Sequence, residues 1–118
     1  MKFKITINDN VYYANMVDCD LVNQIAKFCP FEDTYKQHLK HEYFTKLPSQ
    51  VDDEGCQLTT SILKNKLYYY KKWNAFLIVF EDANVSPYEL THIGDFEEDV
   101  SEYLQEKGRN IFVEVDLE

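Results

Sequence analysis

The sequence predicts a mainly β chain, a compact antiparallel barrel with two short covering helices. Three observations carry that prediction. Short stretches of alternating apolar and polar residues recur along the chain, beginning with Phe3, Ile5 and Ile7 against Lys2, Lys4 and Thr6. Aromatic residues, which favour strands, make up 15% of the chain. Helical spacing occurs in only two short segments, and many strands with so little helix protect their edges best by closing on themselves.

A length of 118 residues fits one domain, residues 1–118, and 45% hydrophobic content with 3 Gly and 3 Pro is a globular composition. The charge is −9, from 12 basic and 21 acidic residues, so nucleic acid and anionic membrane are expected to be poor partners. No apolar run reaches the ~20 residues of a membrane span. The opening strand is no signal peptide, and Cys19, Cys29 and Cys56 are odd in number without Cys-x-x-Cys spacing. Both features predict reduced thiols and a cytoplasmic protein.

The first strand turns at Asn8-Asp9-Asn10 into a second, Val11 to Met16, because Asn and Asp tolerate left-handed backbone. Asp18 or Asp20 caps a helix whose stripe is Leu21, Val22, Ile25, Phe28 and Cys29, and Pro30 ends it. Phe31 to Tyr35 alternates as a third strand. His38 to Gly55 shows no period and is expected to be a long loop with a short extended piece around Tyr43 to Leu47. A short strand is expected over Leu58 to Leu63.

Leu67 to Tyr70 and Ala75 to Phe80 form a hairpin around Lys71-Lys72-Trp73-Asn74. Ala75 to Phe80 is apolar on both faces, which predicts a helix packed outside the sheet. Tyr88 to Ile93 gives a further strand ending at Gly94. Asp95 with Glu98 looks like a capping box, opening a second helix with Phe96, Val100, Tyr103 and Leu104 buried and Gly108 at its end. Asn110 to Leu117 closes the chain as a strand.

Along nearly the whole chain these features resemble the small bacterial cyclophilin-like domain family. The resemblance runs from the opening hairpin and the helix before Pro30, through Glu42-Tyr43-Phe44-Thr45-Lys46-Leu47-Pro48, to Leu67-Tyr68-Tyr69-Tyr70, Leu77-Ile78-Val79-Phe80 and Tyr88-Glu89-Leu90-Thr91-His92-Ile93-Gly94. It departs at Lys64-Asn65-Lys66 and at Lys71-Lys72, where the family places glycines in the turns. The resemblance implies a cyclophilin-like barrel and no established activity.

No catalytic set is expected. His38, His41 and Glu42 are read as solvated groups on a polar loop, with no metal and no other cofactor, because zinc needs three or four converging ligands. Asp95, Glu97, Glu98 and Asp99 lack a calcium-loop pattern, and three glycines cannot build a phosphate cradle. The aromatics are the stronger signal. Tyrosine joins an apolar body to a polar tip, and Tyr43, Phe80, Tyr88 and His92 are the candidate ligand-binding residues because they lie in the segments that carry the resemblance, near the long loop or strand ends.

The expected function is a non-enzymatic binding or interaction domain for a small molecule or peptide. A homo-oligomer, or a subunit stabilising a larger complex, is a further partner class. The alternative is a peptidyl-prolyl isomerase, which fold analogy alone suggests. Active cyclophilins use an arginine in a Phe-His-Arg strand motif; this chain lacks the motif, and its one arginine is Arg109.

Overall fold

Alternation at the two ends of the chain becomes strand pairing in the computed structural model, which describes residues 1–118. Strand β1 (Lys2–Ile7) lies antiparallel between β2 (Asn10–Met16) and β10 (Asn110–Leu117). Phe3, Ile5, Ile7, Val113 and Val115 all point inward and are fully buried. Asn8 supplies the left-handed turn residue, with φ 53°.

The remaining barrel strands are β3 (Phe31–His38), β4 (Glu42–Lys46), β6 (Lys66–Tyr70), β7 (Ala75–Val79) and β9 (Thr91–Phe96). They close an eight-stranded barrel in the order β1-β10-β3-β4-β7-β6-β9-β2. Helix α1 (Asp20–Ala26) adds Leu21, Val22 and Ile25 to the interior, and α2 (Ser101–Gln105) adds Leu104. Inside, Phe76 meets Phe31 and Tyr35 edge-on at 6.1 and 6.3 Å. No helix is long and apolar enough to cross a membrane.

Several expectations are corrected. The segment from Asp95 is not a helix start: Asp95 and Phe96 continue β9, paired with Lys66 on one side and with Asn15 and Ala14 on the other. Barrel closure satisfies these backbone groups, and α2 begins only at Ser101, where Asp99 accepts the Ser101 N–H at 2.8 Å. Tyr88 is likewise outside the strand, since β9 starts at Thr91. α1 ends at Ala26, with Phe28 and Cys29 held by tighter turns to Ile25 and Ala26. The expected long loop after His38 is interrupted at once, because β3 runs on to His38 and β4 is a full barrel strand beside β7. The strand expected over Leu58 to Leu63 shrinks to β5 (Ser61–Ile62).

Burial on both faces of β7 is present, but its cover is not a helix. Leu77, Val79, Tyr68 and Tyr70 face outward beneath a two-stranded ribbon of β5 and β8 (Ala83–Asn84), with Ile62 and Leu90 completing a second, smaller cluster. In the turns before β6 and before β7, Asn65 (φ 70°) and Asn74 (φ 47°) take the left-handed positions.

Candidate functional site

The ribbon does not reach the end of the sheet, and an apolar cleft of about 610 Å³ opens there. Its floor is Leu77 and its walls are Tyr70, Trp73, Tyr88 and Leu90. Trp73 stands on a 3₁₀ turn between β6 and β7, tilted against Phe44 at 5.1 Å and edge-on to Tyr70 at 5.1 Å, while Tyr88 meets Tyr70 edge-on at 6.2 Å. These rings stiffen one another without filling the space between Trp73 and the ribbon.

The polar end of the cleft comes from the β3–β4 hairpin. Its register sets His38 directly opposite Glu42, and Leu39 takes φ 54° to turn the chain within the intervening residues. The same turn folds His41 back, and its carbonyl accepts the Phe80 N–H at 2.9 Å. His38 Nδ1 lies 3.7 Å from Glu42 Oε2, and His41 Nε2 lies 2.7 Å from Glu42 Oε1. Despite these approaches, neither His41 Nε2 nor His38 Nδ1 makes a contact with hydrogen-bond geometry.

Two of these groups are not solvated, contrary to the sequence expectation: His41 is 8% exposed and Glu42 4%, while the His38 side chain remains 41% exposed. Burial pushes the Glu42 carboxyl up to about 7. Burial, reinforced by His38, pushes His41 below its ordinary value. Both shifts favour the uncharged forms of the two groups.

The structure divides the four predicted residues among three places. Tyr43 and Phe80 come together inside the barrel, 5.3 Å apart, with the Tyr43 hydroxyl donating to the Gly108 carbonyl at 2.7 Å. Tyr88 lies on the aromatic cleft, where it is 55% exposed. His92 borders a second, more polar cleft of about 570 Å³ beside α1. Its Nε2 sits 3.1 Å from the Gly94 carbonyl and 3.0 Å from Asp95, two acceptors, so Nε2 carries the proton. Burial would raise the Asp95 carboxyl, but its bonds to Lys66 and His92 outweigh burial and hold it low.

Trp73, Tyr70, His38, His41 and Glu42 were not singled out as site residues from sequence. The signal for the last three is the spacing His38-x-x-His41-Glu42 across a hairpin turn, legible only once both flanks are known to be strands. Arg109 is exposed and borders neither cleft.

The chain matches the Cyclophilin-like family over residues 5–116. It belongs to that family. Among solved structures, this cyclophilin-like barrel is similar to the hypothetical protein AF2241 from Archaeoglobus fulgidus, with a TM-score of 0.76 and 15% identity. The alignment covers 100% of this chain and 95% of the archaeal one, and at that identity it speaks for the fold. No curated protein matches this cyclophilin-like chain.

Proposed function

We propose that this protein is a non-catalytic, cytoplasmic binding domain whose aromatic cleft takes a small flat molecule or the apolar side chain of a peptide. The observation that carries this reading is the unfilled space between Trp73 and the ribbon. Its size falls within the ~300–1,000 Å³ of small-molecule sites, and it pairs apolar walls with one polar end. Tyr88 is the ring a ligand meets first.

Trp73 is the sole tryptophan, so its fluorescence reports on the cleft directly. Titration with the aromatic, anionic dye anilinonaphthalene sulfonate, with chelator present, is expected to change Trp73 emission saturably. Tyr88→Ala should weaken the dye about tenfold, the value of one aromatic contact, without unfolding an already exposed position. Unsaturable binding, or equal affinity in the variant, would remove the cleft as the site.

A peptidyl-prolyl isomerase needs a fixed donor aimed at the prolyl nitrogen. Arg109 is outside the cleft, and the exposed Lys72 on its rim lacks the planar fork of a guanidinium. Conversion of a short Xaa-Pro peptide from cis to trans is expected to proceed at its uncatalysed rate. Acceleration abolished by Arg109→Ala would replace the binding reading with the enzymatic one.

A further inference from the structure

We propose that His38, His41 and Glu42 form a binding site for a divalent first-row transition-metal ion at the polar end of the cleft. The donor atoms of the three side chains all lie within 4.8 Å of one another. They come from a single hairpin, so the barrel sets their spacing: His38 and Glu42 by cross-strand register, His41 by the left-handed turn at Leu39 and the anchor of its carbonyl on Phe80. The His38 ring is held edge-on by Trp73 at 5.2 Å and by Phe44 at 6.0 Å. A site built on rigid neighbours in this way costs an ion little reorganisation.

The second line of support is what the donors lack. His41 is more than nine-tenths buried, yet its Nε2 has no hydrogen bond; His38 is half-exposed, but its Nδ1 atom is buried and also unpartnered. Buried polar atoms are ordinarily partnered, so two orphaned imidazole nitrogens beside one buried carboxylate call for an explanation. The 2.7 Å approach of His41 Nε2 to Glu42 Oε1 without a hydrogen bond fits two donors that converge on a common point.

Two imidazoles and one carboxylate suit zinc, cobalt, nickel or ferrous iron, and disfavour magnesium and calcium, which prefer all-oxygen shells. Three protein ligands leave coordination positions open, and the cleft is where they would face. The ion would then anchor an oxygen or nitrogen donor of the molecule held between Trp73 and Tyr88. This last step rests on the binding reading above; the ion site itself does not.

The test is calorimetric titration of the full chain, stripped with chelator and dialysed, with zinc chloride. Cobalt chloride provides a parallel optical readout. About one ion per chain is expected, with the cobalt d–d bands shifting and intensifying relative to the aqueous ion as it enters a low-coordinate protein site, and with no binding of magnesium. His41→Ala and Glu42→Gln should each weaken zinc by roughly 100-fold or more, whereas His92→Ala should leave it unchanged. Circular dichroism of each variant separates lost ligation from lost folding, and if His41→Ala fails to fold, the half-exposed His38→Ala serves instead. Absence of stoichiometric zinc binding would overturn the proposal, as would binding that survives in folded His41→Ala or His38→Ala and Glu42→Gln. The dye titration of the cleft is run with chelator, so failure of the metal site and failure of the organic site appear in different experiments.

Discussion

Glu42→Gln is expected to stabilise the metal-free protein by roughly 3 kcal/mol at pH 8 and by almost nothing below pH 4.5. Burial holds the Glu42 carboxyl at about 7 in the fold against an ordinary value of 4.5, and that displacement corresponds to roughly 3 kcal/mol. Below 4.5 the carboxyl is protonated in both folded and unfolded chains, so the fold incurs no penalty. Between 4.5 and about 7 the unfolded chain has released its proton while the fold still retains it, and stability falls as pH rises. Above that window the penalty is complete. Glutamine has nearly the same shape and never ionises, so it removes the penalty only where the wild-type carboxyl would be charged.

His41 slopes the other way. Its folded value lies below the ordinary 6.5, so its contribution is fully present above 6.5 and is lost as pH falls. The two groups thus oppose each other in the wild type, and the substitution should expose the His41 slope alone. Melting curves in chelator at pH 4.5, 6 and 8 would check this, with a gain on the order of 10 °C at pH 8. An equal gain at all three pH values would deny the titration. A loss at pH 8 would mean that Glu42 is ionised and favourably paired.

The barrel was legible because period-two alternation survives in strands with one buried face, as in β1 and β10. The hairpin at Trp73 was legible from the β-prone runs on either side of its turn. The β9–α2 boundary was not. Ile93, Phe96, Val100 and Leu104 fit helical spacing, and sequence alone does not show that Asp95 and Phe96 must pair on both sides to close the barrel. The cleft was hidden for a related reason. Tyr88 is distant along the chain from Tyr70 and Trp73, and their meeting depends on how far the β5–β8 ribbon extends. The convergence of His38, His41 and Glu42 was not legible because two histidines and a glutamate in an unpatterned stretch look like solvated groups until both flanks are known to be strands.

The two faces of β7 should differ in what they tolerate. Phe76 is fully buried, wedged edge-on between Phe31 and Tyr35, with the barrel closed around it. Phe76→Ala removes a ring from a site whose walls are strands hydrogen-bonded on both sides and unable to collapse, so a loss of about 3–5 kcal/mol is expected. That is a large share of the ~5–15 kcal/mol typical of such a domain. Leu77 is 1% exposed, so by burial alone the neighbouring position looks equivalent. It faces the other way, however, under a ribbon whose strands are two residues long, and it forms the floor of the cleft. Truncation there lengthens a space already open to solvent and leaves no sealed void, so Leu77→Ala should cost only about 2 kcal/mol. Urea denaturation of both variants gives the comparison, with Phe76→Leu as the milder substitute if the alanine variant does not fold. Equal costs would mean that the outer cluster is as closed as the barrel interior. The cleft beneath Trp73 would then be too rigidly shut to admit a ligand.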